Sequence, residues 1–194
     1  MLYRKLPKSN IDLSILGFGC MRLPTIDNKP EKIDYQKATE LLHYAIDHGV
    51  NYVDTAYFYH AETFGQRGES EPFVGKALAG EWRKKVHLAT KMPLFMLHQP
   101  QQMEIFLTEQ LARLQTDYLD FYLLHGLNGE SWNRMRDMGV REFLDKKKAE
   151  GIIRFPAFSF HGKAEDFIRI CDEYDWTFAQ IQYNYMDIDF QAGY

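Results

Sequence analysis

Apolar residues along this chain fall into two alternating patterns, short continuous runs and longer stretches spaced three and four apart. The first predicts strands and the second helices. Residues 2–6 and 11–15 are short extended runs around Pro7-Lys8-Ser9-Asn10, which has the turn chemistry of a hairpin. Leu16-Gly17-Phe18-Gly19 predicts a strand, and Ala38, Leu41, Leu42, Ala45 and Ile46 share one face of a helix that Gly49 ends. A strand over 51–54 follows. Ser70-Glu71-Pro72 then reads as an N-cap with proline in the first turn of a helix packing Phe73, Val74, Ala77 and Leu78. After a strand over 86–91, Pro100 opens a helix with Met103, Phe106, Leu107, Gln110, Leu111 and Leu114 at helical spacing. The pattern continues with a strand over 119–124, one helix across most of 131–150 and a strand near 152–158. It closes with a helix near 163–174, Phe167, Ile168 and Cys171 inward, and a strand near 177–183.

The strand centres fall near 18, 53, 89, 122, 156 and 180, at intervals of about 33 to 36 residues and a last of about 24, the size of a strand-helix unit. Strict alternation implies parallel strands joined by right-handed crossovers, either a doubly wound sheet or a (β/α)8 barrel. Neither fits at once. A barrel usually takes about 250 residues. A doubly wound dinucleotide fold would want a third glycine and a helix directly after Gly17-Phe18-Gly19-Cys20-Met21, and neither is there. No linker composition divides the 194 residues, so 1–194 is expected to be a single domain.

Composition narrows the partners. With 23 basic and 27 acidic residues the formal net charge is −4, and Lys146-Lys147-Lys148 stands beside Asp145 and Glu150 as a solvated helix face. A nucleic-acid partner is therefore not expected. Charges occupy Met1-Leu2-Tyr3-Arg4-Lys5-Leu6, where a signal peptide needs its apolar stretch, and no run is apolar enough to span a bilayer. Cys20 and Cys171 make neither a disulfide framework nor a metal motif, so a cytoplasmic protein without a metal is expected.

In parallel α/β folds reactive groups gather at the carboxyl ends of strands. Those positions here hold Asp54, Lys91, His125 and Ser159, with Tyr59 five residues beyond Asp54. Each alone has an ordinary structural reading as a cap, a packed aromatic or a core histidine. Their coincidence at successive strand ends points to proton transfer. An ammonium stabilises a phenolate, and a carboxylate can hold that ammonium in place. Lys91, Tyr59 and Asp54 supply those groups, and His125 could orient a substrate oxygen that is becoming an alkoxide. The chemistry is carbonyl reduction. No side chain can donate a hydride, so a nicotinamide cofactor is required.

These residues resemble the aldo-keto reductases, whose motifs occur in the same order and spacing along nearly the whole chain. The likeness runs through Leu16-Gly17-Phe18-Gly19, Gly49-Val50-Asn51-Tyr52-Val53-Asp54-Thr55-Ala56 to Tyr59, and Gly68-Glu69-Ser70-Glu71 with Val74-Gly75-Lys76-Ala77-Leu78. It continues through Thr90-Lys91, Asp117-Tyr118-Leu119-Asp120, Leu123-Leu124-His125, Ser159 and Ala179-Gln180-Ile181-Gln182-Tyr183-Asn184. The resemblance implies a (β/α)8 barrel, incomplete here, with an N-terminal hairpin and about six strands. It implies Tyr59 as general acid, Lys91 and Asp54 tuning it, and His125 orienting an aldehyde or ketone. It further implies Ser159 and Gln180 on the nicotinamide carboxamide, Met21 and Asp54 lining the same pocket, and NADPH, or NADH, as cofactor.

Many relatives follow the serine of the fifth strand with asparagine, and Phe160 stands there instead, followed by His161-Gly162. That variant resembles a bacterial and archaeal branch whose longer members often carry a C-terminal iron-sulfur segment. The chain ends at Tyr194, where the family has two further units that bind the pyrophosphate and adenosine. It therefore reads as a fragment or truncated product with the tetrad present and the dinucleotide site incomplete. The rival expectation is a catalytically inactive fragment acting in binding or assembly, or without function. A third, a metal-dependent hydrolase using His60, Glu62, His125 and His161, lacks the His-x-His pair such barrels place on the first strand.

Overall fold

The computed structural model describes residues 1–7, 9–63, 65–183 and 186. They form two compact units, one of Met1–Thr90 with Thr108–Asp120, the other of Lys91–Leu107 with the chain from Phe121 onward.

The first unit opens on the expected hairpin, β1 (Tyr3–Lys5) antiparallel to β2 (Asp12–Ser14), tied down by the Tyr3 hydroxyl donating to the Gly49 carbonyl at 2.9 Å. β3 is only Phe18–Gly19, shorter than expected, and just before it the chain at Gly17 runs against the Tyr52 ring, where a Cβ would lie 2.9 Å from Cδ1. Helix α1 (Tyr35–Asp47) starts at Asp34, whose carboxylate accepts from the Lys37 amide, and ends before Gly49 at φ +94°. It buries Ala38, Leu42 and Ile46, a narrower stripe than expected, for Leu41 is half exposed. β4 (Tyr52–Asp54) and β5 (His87–Met92) follow in parallel, separated by α2 (Ser70–Ala77) and the single turn α3 (Glu81–Lys84). Ser70 is not the cap of α2. It is the first helical residue, and its hydroxyl is spent inside, on Thr55 Oγ1 and the Cys20 carbonyl. Helix α4 (Gln101–Leu114) enters this unit at its C-terminal half, packed so close to α2 that a Cβ on Gly75 would sit 2.6 Å from the Arg113 carbonyl oxygen. β3, β4, β5 and β6 (Leu119–Leu127) are neighbours in that order.

In the second unit the neighbours are β5, β6, β7 (Ile153–Phe160) and β8 (Ala179–Ile181), again in chain order, with β7 and β8 parallel. Sequential order without a switch point is that of a (β/α)8 barrel and not of a doubly wound sheet. Six barrel strands are present among the described residues, so the barrel is incomplete.

The single helix expected over 131–150 is two, α5 (Gly129–Asp137) and α6 (Val140–Ala149), divided by Gly139 at φ +81°. A left-handed residue cannot continue a right-handed helix, and the restart lets Val140 and Leu144 turn inward. Asn128 and Ser131 form a reciprocal capping box at the start of α5. Helix α7 (Ala164–Glu173) also corrects the expectation, since Ile168 is 61 % exposed and Cys171 is exposed. Its inward face is set by Ile170, fully buried, and by Phe167, whose ring meets Phe158 and Phe160 at 5.8 and 5.3 Å. The indole of Trp176 fixes that face by donating to the Ile170 carbonyl. Among the described residues no helix is long and apolar enough to cross a membrane.

Candidate active site

The carboxyl end of β4 carries Asp54, 6 % exposed and in register with Gly19 on β3 and Ala89 on β5. Behind it the chain turns into a loop that returns to the start of α2. Thr55 donates its amide to the Ala89 carbonyl and its hydroxyl pairs with Ser70, so the chain leaving the strand is pinned on both sides. Tyr59 lies in this loop, half-buried, its amide on the Ala56 carbonyl and its own carbonyl accepting from the Ser70 amide at 3.1 Å. Beneath it lies Gly68, where any Cβ would collide with the Tyr59 carbonyl oxygen. Burial pushes the Tyr52 hydroxyl well above the ordinary tyrosine range, and its neighbours Asp54 and Tyr59 push it further. Asp54 and Tyr59 thus both lie near Tyr52, a neighbour the sequence did not single out.

A second feature of this loop escapes a reading of strand ends. Glu71, wholly buried in the first turn of α2, accepts from Thr90 Oγ1 at 2.7 Å, Gln110 Nε2 at 2.6 Å and Arg113 Nε at 2.9 Å. Burial raises its carboxyl above the ordinary range, and those three donors pull it back. Arg113 also donates through Nη2 to the Gly68 carbonyl. The one sequence signal was Gln110, a polar residue on the inward stripe of α4.

In the second unit Lys91 and His125 stand near the carboxyl ends of β5 and β6. Lys91 is 2 % exposed, a position an ammonium keeps only with compensation. His125 is pushed down to about 3, first by desolvation, then by the charges of Lys91 and His161. It is a neutral imidazole at physiological pH, able to donate or accept a hydrogen bond without carrying charge.

Ser159 and Gln180 are paired in parallel register on β7 and β8, which places their side chains on the same face of the sheet. The Ser159 hydroxyl is buried, accepting from the Gly126 amide at 2.9 Å and lying 3.4 Å from the Leu124 carbonyl. One of its lone pairs is left over. The Gln180 amide is exposed beside it. A hydroxyl and a primary amide in register could pair with the donor and acceptor of a carboxamide, the group the family resemblance implies for these two residues. Met21, in the single 3-10 turn Cys20–Arg22 after β3, is 53 % exposed.

The hydrolase reading loses its first ligand. His60 is 7 % exposed with Nε2 accepting from the Leu23 amide and Nδ1 2.7 Å from the Pro30 carbonyl, so both ring nitrogens serve the loop. Among the described residues no three metal-ligating side chains are grouped.

The sequence profile of the Aldo/keto reductase family matches residues 15–193. The uncharacterized oxidoreductase YqkF of Bacillus subtilis is 34 % identical over 168 residues, 82 % of this chain and 49 % of that protein. Among solved structures, the holo form of aldo-keto reductase AKR11C1 from Bacillus halodurans is 30 % identical with a TM-score of 0.75, covering 94 % of this chain and 58 % of that one. An aldo-keto reductase from Klebsiella pneumoniae in complex with NADPH is 28 % identical with a TM-score of 0.61, over 90 % of this chain and 55 % of that one. The chain spans about half the length of the curated relatives it matches. With parallel strands in barrel order and the motif residues at their carboxyl ends, the chain belongs to the aldo/keto reductase family.

Proposed function

We propose that this chain carries the proton-transfer part of a nicotinamide-dependent oxidoreductase that reduces an aldehyde or ketone to the alcohol. The observation that carries the reading is Lys91, 2 % exposed near the carboxyl end of β5, with His125 near the carboxyl end of β6, where desolvation and the Lys91 charge favour the neutral imidazole. A neutral imidazole hydrogen-bonds a carbonyl oxygen and orients it without taking up the proton that must come from elsewhere.

Tyr59 is the donor of that proton. Its Oη–H bond breaks toward the substrate oxygen as the carbonyl carbon is reduced, and the roles of stabilising the phenolate left behind and of tuning it fall to Lys91 and Asp54. Ser159 and Gln180 hold the carboxamide of the cofactor and Met21 lines the same pocket. A reduced nicotinamide, NADPH or NADH, supplies the hydride when bound. With a hydride delivered to the carbonyl carbon, the Tyr59 proton on the oxygen would complete the alcohol.

Replacing Tyr59 by Phe removes the acid and leaves the rest of the loop in place. The expected result in the whole protein is loss of aldehyde-dependent NADPH oxidation by about 10²- to 10⁴-fold, the range for a positioned general acid. Cofactor affinity, followed by tryptophan fluorescence, should stay nearly unchanged. Equal turnover in wild type and variant sinks the assignment of the acid.

A further inference from the structure

Tyr59 sits in a loop, where no sheet hydrogen bonds fix it, yet a proton donor must hold its place to a fraction of an ångström. Something outside the loop has to brace it. Around Tyr59 the backbone closes a small circuit, with the Gly68 amide donating to the Tyr57 carbonyl at 2.9 Å and the Ser70 amide donating to the Tyr59 carbonyl at 3.1 Å. Gly68 is the residue on which the Tyr59 carbonyl rests. Its own carbonyl is gripped by Arg113 Nη2, and the same guanidinium reaches Glu71 through Nε at 2.9 Å.

We infer that Arg113, locked on α4 by the buried carboxylate of Glu71, is a positioning residue that sets where Tyr59 delivers its proton. The guanidinium suits the task because its fork points two donors in fixed directions, one at the carboxylate and one at the loop carbonyl. Gln110 and Thr90 both donate to the other oxygen of Glu71, which resists rotation of the carboxylate away from Arg113. A second hold acts on the outer side of the loop. The Tyr57 hydroxyl donates to Glu109 at 3.2 Å, Arg67 reaches the other oxygen of Glu109 at 3.2 Å, and the Arg113 guanidinium lies 5.5 Å from the Tyr57 ring centre. Two side chains of α4, Arg113 and Glu109, therefore reach the segment 57–70, and Glu71 of α2 holds the first of them. The inference rests on Tyr59 being the acid.

Arg113→Lys keeps the charge and loses the fork, since one ammonium cannot serve both Glu71 and the Gly68 carbonyl. The expected result in the whole protein with NADPH is a fall in kcat of roughly 10- to 100-fold with the substrate KM little changed. A solvent deuterium isotope effect on kcat larger than in the wild type should accompany it, as the proton step becomes limiting. Without cofactor, amide hydrogen exchange over 57–70 should be faster. Gly68→Ala, which pushes directly on the Tyr59 carbonyl, should reproduce both signatures. Faster exchange with wild-type kcat and isotope effect would make the brace merely structural and overturn the inference, as would unchanged exchange in both variants. Retained reduction in Tyr59→Phe overturns the acid assignment and this inference with it. Loss in Tyr59→Phe beside wild-type turnover in Arg113→Lys overturns the inference alone.

Discussion

Two regions of this chain hold reactive side chains by different means. His125 and Ser159 belong to strands, where ladder hydrogen bonds set the backbone and the side chain needs only a short tether, such as the Gly126 amide on Ser159. Tyr59 belongs to a loop, and its place is secured by a wholly buried carboxylate, a guanidinium and a glycine that admits no side chain. A residue on a strand is positioned by the fold itself. One on a loop has to be braced by charges that are costly to bury, and so its neighbourhood is the more sensitive to single substitutions.

The widest test of this contrast removes a charge that the strand side carries. Lys91→Met keeps the length and the apolar stem and deletes the ammonium at the end of β5, where only 2 % of the residue is exposed. On the proposed mechanism the phenolate of Tyr59 loses its counter-charge, and kcat should fall about 10²- to 10³-fold in a carbonyl reduction assay. His125 should respond as well. With the Lys91 charge gone, its imidazole should titrate higher, which NMR of the ring protons would read. A variant with full turnover and an unmoved His125 would remove Lys91 from the site.

On the loop side, Glu71→Gln preserves shape but leaves Arg113, partly buried, facing a neutral amide. Breaking such a pair costs about 3 kcal/mol, whereas solvent screens an exposed pair such as Lys84 with Glu81 and its loss should hardly register. The midpoint of urea unfolding measures it. A shift no larger than that of Glu81→Gln would show that the brace carries little stability and that the two regions are held alike.

How far these regions were legible in the sequence follows the same division. Asp54, Lys91, His125 and Ser159 could be found because a strand end is a position in the sequence, marked by the apolar run before it. The order of strands was legible for the same reason. Glu71 and Arg113 stand 42 residues apart and meet only when α4 packs on α2 through Gly75. No local pattern announces that contact, and Gln110 among the apolar residues of α4 was its only trace. The break at Gly139 went unseen because apolar spacing continues across it, and the choice of Ile170 over Ile168 in α7 depends on where Trp176 docks. The ending of the sequence motif at Asn184 lies outside the described residues, as do Lys8 and Phe64.

The strand side also makes a prediction about acid. His125 is held neutral in the folded protein, titrating near 3, whereas its ordinary value is 6.5. Between those values the unfolded chain binds the proton and the folded one does not. The stability involved is complete above pH 6.5 and drains away as the pH falls toward 3. Moving from pH 7.5 to 5 should cost about 2 kcal/mol through this residue, at 1.36 kcal/mol per pH step below the ordinary value. His125→Gln should flatten the unfolding free energy over that interval relative to wild type. Parallel pH profiles would mean that the imidazole is hydrated and charges freely.

The smallest effect is expected at Ser159, and its smallness is the point. Its hydroxyl accepts from the Gly126 amide and offers one further lone pair to a carboxamide, so Ser159→Ala removes one neutral hydrogen bond to a bound nicotinamide, worth about 1 kcal/mol or roughly fivefold in affinity. The backbone at Gly126, already fixed by β6 and by the bond from the His161 amide to the Leu127 carbonyl, should hardly move. Titration with NADPH followed by tryptophan fluorescence would read the loss, and the exchange rate of the Gly126 amide would report whether the strand end loosened. A modest loss of affinity with Gly126 still protected is what a strand-borne contact should give. Collapse of binding together with rapid exchange at Gly126 would mean that the serine braces its strand as Arg113 braces its loop, and the contrast between the two regions would dissolve.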